Sequence, residues 1–220
     1  MAPAPRPHSN TPALGSRRGA LSTGLIVVLG LGLVFLIVGA MTAGAYNSLV
    51  GSQEQTSKAW ADVENQYKRR FDLIPNLVNT VQGAADFEKS TLTEITEARA
   101  SVGQLQMPTD GPVDQAQLDA YMAAQSSLGS SLSRLLVVAE NYPDLKATQN
   151  FLSLQDQLEG TENRIAVART DYTEAVRGYN TSIRSFPKNI LAGMFGFEKL
   201  PQFTIEATES AVPEVNFGKQ

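Results

Sequence analysis

The chain has 220 residues, 42% of them hydrophobic, which is enough for a core and argues against global disorder. It contains no cysteine and one histidine, His8, so thiolate or imidazole zinc sites and Ser-His-Asp or Cys-His catalytic centres lack essential residues. The net charge of −4 is unlike the concentrated basic surface of a nucleic-acid-binding domain. We therefore expect no metal, no cofactor and no nucleic-acid partner.

The first two predicted elements are a tail and an apolar segment. Four prolines within residues 1–19 predict a disordered tail. No charged residue occurs between Arg18 and Glu54, and residues 20–45 are long and apolar enough to form a transmembrane helix. The competing interpretation is a cleaved signal peptide, since Ala43-Gly44-Ala45 resembles a cleavage site. The apolar region exceeds the ~7 to 15 residues of a signal peptide, which favours a membrane anchor.

The charges that flank the apolar segment predict its orientation. Arg6, Arg17 and Arg18 precede it, whereas Lys58 is the only basic residue within about 15 residues after it. The predicted location is therefore the cell membrane, with a single pass through the lipid bilayer at residues 20–45, a cytoplasmic N-terminus and an extracytoplasmic domain. Small residues spaced four apart in the segment would also let two such helices pack together, so a homo-oligomer is a further possibility.

Residues 46–186 show the spacing of amphipathic helices. Apolar side chains recur at alternating steps of three and four in four successive stretches. The stretches begin near Tyr46, Ile74, Leu118 and Phe151. The predicted breaks between them are residues 70–76, 107–113 and 141–146. Short connections make neighbouring helices antiparallel, so the predicted fold is all-α, with an N-terminal transmembrane helix followed by an antiparallel up-and-down bundle of four long helices.

At these same residues the sequence resembles the bacterial LemA family. The matching stretches are Tyr-Asn-Ser-Leu-Val from Tyr46, Ala-Trp-Ala-Asp-Val from Ala59, Lys-Arg-Arg-Phe-Asp-Leu-Ile-Pro-Asn-Leu-Val from Lys68, Ala-Glu-Asn-Tyr-Pro-Asp-Leu-Lys-Ala from Ala139, Asn-Phe-Leu-Ser-Leu-Gln from Asn150, Ala-Val-Arg-Gly-Tyr-Asn from Ala175 and Phe-Gly-Phe-Glu from Phe195. The resemblance covers residues 46 to about 217. It implies a membrane helix, a four-helix bundle and an envelope-associated role, and it supplies no catalytic residues.

The turns at residues 70–76 and 141–146 are predicted to meet at the end of the bundle away from the membrane. They hold charged and polar side chains that form the candidate interaction cluster: Arg69, Arg70, Asp72, Asn76, Glu140, Asn141, Tyr142 and Asp144. If the turns meet, Arg70 and Asp144 should be energetically coupled. The alternative is that these groups cap helices and pair with one another, since ion pairs at helix ends are common.

The C-terminal segment, residues 187–220, begins with more aromatic and apolar residues than an unstructured tail usually contains. Met194, Phe195 and Phe197 are candidate membrane-interface residues, because the fourth helix should end on the membrane side. The alternative is that the same residues fold back and close the open end of the helical core. Burial in lipid and burial in protein draw on the same apolar effect, so the sequence does not separate the two.

Taken together, these features favour a non-enzymatic, membrane-anchored interaction or scaffold protein of the bacterial cell envelope, with membrane or envelope protein partners that the sequence does not identify. A second hypothesis is a membrane-tethered sensor that binds a small ligand between helices, although the short tail offers no folded domain to receive its signal. A hydrolase is the weakest hypothesis, because no two carboxylates are positioned for acid and base roles.

Overall fold

The structure is a computed structural model that describes residues 23–83, 87–105, 107–108, 111 and 114–203. The predicted tail at 1–19, the start of the apolar segment and the end of the C-terminal segment lie outside the described residues. Within them every regular element is a helix and no strand occurs, which confirms the all-α prediction for this part of the chain. The helices are α1 (Thr23–Gln82), α2 (Lys89–Gln104), α3 (Gln115–Ala139), α4 (Pro143–Lys146), α5 (Gln149–Arg184) and α6 (Lys188–Phe195).

The chain divides into two units, residues 1–43 and 44–220, and each is described by itself. In the first unit, the described side chains from residue 24 onward are almost all apolar and exposed, Phe35 to 78% and Leu36 to 72%. The helix is long and apolar enough there to cross a membrane, and its most apolar window contains no buried residue. This part of the chain therefore fits a membrane localisation.

The second unit has a core formed by three groups of buried side chains. The α6 cluster joins α1, α5 and α6 and consists of Leu49, Tyr179, Ile183 and Ala192. The aromatic cluster joins α1, α3 and α5 and consists of Trp60, Val63, Tyr67, Leu118, Tyr121, Ile165, Ala168, Tyr172 and Val176. The aliphatic cluster contains Ile74, Leu77 and Val81 of α1 and draws further apolar side chains from α2, α3 and α5. Four long helices thus contribute to the core.

The predicted turn at residues 70–76 is wrong, because α1 continues through it to Gln82. From Trp60 to Val81 the buried side chains of α1 keep their spacing of three and four without interruption. They are Trp60, Val63, Tyr67, Arg70, Ile74, Leu77 and Val81. Arg70 is the buried residue between Tyr67 and Ile74. The two predicted stretches that begin near Tyr46 and Ile74 therefore share one continuous buried face on α1. The chain leaves the helix only at Gly83.

Pro75 lies inside α1, where proline leaves the carbonyl four residues earlier without its helical donor. That carbonyl belongs to Phe71, and the Nε of Arg99 on α2 donates a hydrogen bond to it at 3.2 Å. The Arg99 guanidinium also stacks on the Phe71 ring, 3.8 Å from the ring centroid. A side chain from the neighbouring helix thus replaces the missing backbone donor, and α1 continues past the proline.

This arrangement predicts that Arg99→Met lowers the free energy of unfolding by roughly 1.5 kcal/mol, since it removes a charged donor from a backbone carbonyl. In a Pro75→Ala background, the backbone N–H that the substitution introduces can bond the same carbonyl, so the loss should be smaller. The measurement is urea unfolding of the full-length protein in detergent, followed by the fluorescence of Trp60, the single tryptophan. Equal losses in both backgrounds would mean that Arg99 does not compensate for the proline.

After α6 the chain reverses and returns along α5. Gly196 ends α6 in the left-handed conformation, with φ 73°, and the Phe197 N–H donates to the Ala192 carbonyl at 3.0 Å. Asn180 on α5 then holds Leu200 through two hydrogen bonds, donating to its carbonyl at 2.8 Å and accepting from its N–H at 2.9 Å. The described part of the C-terminal segment is therefore fastened to the core.

Candidate interaction site

The centre of the candidate site is Arg70, a charged side chain on the buried face of α1 that is only 3% exposed. Its Nη1 lies 2.8 Å from the Glu162 carboxylate of α5. Its Nη2 donates both to the backbone carbonyl of Gln125 on α3, at 3.1 Å, and to the side-chain oxygen of the same residue. The Tyr67 ring completes the surroundings, 5.2 Å from the guanidinium. Arg70 thus connects three helices through one charged group.

The partners of Arg70 differ in their exposure to solvent. Gln125 is buried, whereas the Glu162 side chain remains 43% exposed. The Nε of Arg70 is buried and has no hydrogen-bond partner among the described residues. Burial raises the pKa of the Tyr67 phenol, and the nearby Arg169 and Arg70 guanidiniums oppose this rise without cancelling it. Because the pKa is raised, the phenol is neutral at neutral pH. The site therefore holds a buried cation, Arg70, with one nitrogen that has no described hydrogen-bond partner. Its carboxylate partner, Glu162, is partly exposed to solvent.

Arg70 lies against a groove of about 1230 Å³ between α3 and α5. The α3 side of the groove carries small and hydroxyl-bearing residues, Ala123, Ser126, Gly129, Ser130 and Ser133. The α5 side carries Glu159, Glu162, Asn163 and Arg169. Phe203 lies at one end, with its ring 4.9 Å from the Arg169 guanidinium. Apolar side chains also line both walls: Leu118, Met122, Leu132 and Leu136 on α3, and Leu158 and Ile165 on α5. The groove therefore combines polar and apolar groups on each wall.

These groups can donate and accept hydrogen bonds and can pair with charges. Serine hydroxyls and a glycine on one helix face let another backbone or side chain approach closely. Within the described residues, no three acidic or histidine side chains converge as metal ligands. The groove therefore offers hydrogen bonds and charges beside apolar side chains, which together can recognise an amphipathic partner.

The structure separates the members of the candidate interaction cluster. Arg70 is buried in the middle of the unit, whereas Arg69, Asp72 and Asn76 lie on exposed faces of α1. Asn76 instead lines a smaller groove of about 420 Å³ with residues of α5 that include Asn150 and Ser153. Arg70 pairs with Glu162, so no ion pair among the described residues underlies the coupling of Arg70 with Asp144, which stays a prediction.

The other half of the cluster lies at the connection between α3 and α5. Glu140, Asn141 and Asp144 are exposed, and the Glu140 carboxylate pairs with Lys146. The Tyr142 ring packs against Phe87, with ring centroids 4.9 Å apart. This connection therefore contacts Phe87, which follows the end of α1, rather than the predicted turn at 70–76. Whether these residues bind a partner stays a prediction.

Sequence reasoning missed Gln125 and Glu162 as partners of Arg70. A signal for Gln125 exists, because it is a polar residue on the otherwise apolar spacing of α3 between Tyr121 and Leu128. A polar residue at such a position requires a partner within the core. Glu162 has no comparable signal, since it is one of many acidic residues at the edge of a helix.

The candidate membrane-interface residues have different surroundings. Met194 and Phe195 are 72% and 53% exposed, whereas Phe197 is half-buried and packs against the α6 cluster. Tyr46 lies edge-on to both aromatic rings, with centroids 4.9 Å from Phe195 and 5.8 Å from Phe197. Phe197 thus belongs to the returning part of the segment, and the outer surface of α6 stays uncovered.

The fold and site define a helical protein that joins a long apolar N-terminal helix to a helical unit with a groove of mixed polar and apolar lining. Comparison with known families is consistent with this class, because the family model described as "LemA family" matches residues 59–217. The chain belongs to the LemA family.

Curated relatives are similar over most of this chain. Magnetosome protein MamQ 2 of Paramagnetospirillum magneticum is 28% identical over 176 residues, covering 72% of this chain and 64% of the relative. Magnetosome protein MamQ of Magnetospirillum gryphiswaldense is 25% identical with the same coverage. Protein LemA of Metamycoplasma hominis is 24% identical over 169 residues, covering 76% of this chain and 71% of the relative. The chain therefore spans slightly less than two thirds of the length of the MamQ proteins that it matches.

Proposed function

We propose that this chain is a membrane-anchored, non-catalytic protein of the cell envelope whose helical unit binds a partner protein. Three features support the proposal: the apolar helix of the first unit, membership of the LemA family and the groove between α3 and α5. In this proposal the apolar segment spans the bilayer once. The arginines before it keep the N-terminus in the cytoplasm, and residues 46–184 form an antiparallel four-helix bundle outside the cytoplasm.

The observation that carries the proposal is the groove beside Arg70. Pockets for small ligands usually enclose roughly 300 to 1,000 Å³ and are mostly apolar. This groove is larger, at about 1230 Å³, and its α3 wall carries Ser126, Ser130 and Ser133 beside apolar side chains. Such a surface suits an extended or helical segment of another protein better than an enclosed small ligand, and it therefore favours the interaction role over the sensor.

The proposal predicts a contact that is specific to the groove. A photoreactive amino acid at Ser130, which lines the groove, should give a discrete crosslinked product when the full-length protein is irradiated in its native membranes. The matched control is Ser127, an exposed serine on the same helix that is not part of the groove. Products are compared by mass on denaturing gels and identified by mass spectrometry, and a product of twice the chain mass identifies a second copy.

The outcome that contradicts this function is equal crosslinking at Ser127 and Ser130, or none at either position. A further control is extraction of the membranes with alkaline carbonate. The anchored protein stays in the pellet, whereas a protein released into the supernatant lacks the proposed anchor. The two measurements therefore test the anchor and the interaction separately.

A further inference from the structure

The outer surface of α6 carries large apolar side chains that no described residue of the second unit covers. Ile190 and Met194 lie four residues apart on one face of the helix, and Phe186 precedes them in the turn between α5 and α6. They are 55%, 72% and 82% exposed, and Phe195 beside them is 53% exposed. Water-exposed residues of this kind usually occur singly, and a contiguous group marks a surface that contacts something else.

This apolar face is held in a fixed position by the inner side of the same helix. Leu191 and Ala192 pack into the α6 cluster against Leu49 and Tyr179. The Lys188 ammonium donates hydrogen bonds to the hydroxyls of Ser48, at 2.8 Å, and Ser182, at 3.2 Å. The exposed face is therefore a consequence of how α6 is anchored, since turning it inward would break these contacts.

The position of α6 in the second unit indicates which surroundings cover its outer face. Phe195 packs on Tyr46, which is the third residue of the unit and directly follows the apolar segment in the chain. Covalent connection therefore places Tyr46 within a few residues of the end of the proposed bilayer span. Basic residues lie close to the apolar residues in the sequence, at Arg184, Lys188 and Lys199, with one acidic residue, Glu198, among them. Aromatic, apolar and basic residues together are typical of segments that lie in the headgroup region.

We infer that α6 is a second membrane contact, an interfacial helix that inserts Phe186, Ile190, Met194 and Phe195 into the bilayer surface. The inference rests on the proposed anchor, because the anchor keeps α6 close to the lipid. Lipid is favoured over a second copy of the chain because four side chains on and beside an eight-residue helix present much less than the ~800 Å² per partner of a standard stable interface. Phe197 is not part of this contact, since it packs into the protein.

The absence of cysteine from the chain allows a direct test with the full-length protein. Single-cysteine variants Ile190→Cys and Met194→Cys are labelled with an environment-sensitive fluorophore and reconstituted into vesicles of phosphatidylcholine and phosphatidylglycerol. The expected result is a blue-shifted emission that lipids carrying a nitroxide near the headgroup quench. The control is Val137→Cys on α3, an equally exposed apolar position at 69%, whose label should show neither effect.

Two results would overturn the inference. In the first, the labels at residues 190 and 194 behave like the label at Val137. In the second, their emission is blue-shifted but insensitive to nitroxide lipids and depends on the ratio of protein to lipid, which indicates a protein contact. Carbonate extraction of the same vesicles separates the two proposals: retained protein with unquenched labels rejects only the α6 contact, whereas released protein rejects the anchor itself.

Discussion

Replacing Glu162 with alanine is expected to lower the free energy of unfolding by roughly 2 kcal/mol, because it leaves the buried guanidinium of Arg70 without a carboxylate. The loss is smaller than for a fully buried pair because the Glu162 side chain is 43% exposed and solvent screens it. The pair joins α1 and α5 at 2.8 Å, and Gln125 supplies only neutral acceptors. Urea unfolding of the full-length protein in detergent, followed by Trp60 fluorescence, measures the loss. Trp60 is suited to this because it is fully buried in the aromatic cluster.

The matched control for this prediction is Glu159→Ala. Glu159 lines the same groove on the same helix, but it is exposed and its described hydrogen bond is to Gln155 on the surface. Its replacement should change the free energy of unfolding by less than about 0.5 kcal/mol. A similar loss in both variants would show that the pair with Arg70 is not the cause.

A double-mutant cycle tests the partner of Arg70 directly. Arg70→Met combined with Glu162→Ala should lose less than the sum of the single changes, because either change alone already breaks the pair. Arg70→Met combined with Asp144→Ala should be additive, since Asp144 is exposed near the end of α3. A non-additive loss for Arg70 and Asp144 would instead support the arrangement predicted from the sequence, in which residues 70–76 and 141–146 meet.

Raising the pH from 10 to 12 is expected to destabilise the second unit by several kcal/mol. Burial raises the pKa of Tyr121 to about 12, partly offset by a hydrogen bond with Gln125, and burial also raises the pKa of Tyr172 to about 12. In the unfolded chain both phenols ionise near pH 10. Below pH 10 they are neutral in both states and stability is unaffected. Above it the unfolded chain releases protons that the folded protein retains, so stability falls by up to ~1.4 kcal/mol per pH unit for each tyrosine.

The measurement is the urea midpoint from circular dichroism at a series of pH values between 8 and 12. Tyr121→Phe should remove one tyrosine's share of the slope. Tyr172→Phe should do the same, and it should also lower stability at neutral pH because the Tyr172 hydroxyl donates to the Pro201 carbonyl at 3.3 Å. A stability profile that is flat to pH 12, or a slope that neither variant changes, would contradict the prediction.

A buried charge that lines a groove is an unusual use of a core position. Core positions of this kind are normally apolar, and Gln125 and Glu162 leave the Arg70 Nε without a hydrogen-bond partner among the described residues. Local departures of this kind are expected where a site serves recognition rather than packing. The stability measurements on Glu162 and the crosslinking at Ser130 therefore address two properties of the same groove.

The sequence alone determined those features that depend on neighbours along the chain. The exposed apolar helix follows from a charge-free segment longer than a bilayer is thick. The buried faces of α3 and α5 follow from steps of three and four, and residues such as Tyr121, Leu128, Leu158 and Tyr172 lie where that spacing places them. Family membership likewise follows from motifs that the sequence carries in order.

The tertiary structure alone decided where α1 ends and what its charged residues contact. Proline favours a break at residue 75, but Arg99, distant in sequence, supplies the donor that the helix lacks there. Arg70 and Glu162 are 92 residues apart, and no local pattern distinguishes Glu162 from other exposed acidic residues. The division of the C-terminal segment into an exposed α6 face and a half-buried Phe197 depends on Gly196 and on contacts with α1 and α5. Periodicity reports which face of a helix is buried, whereas the partner on that face is set by how the helices pack.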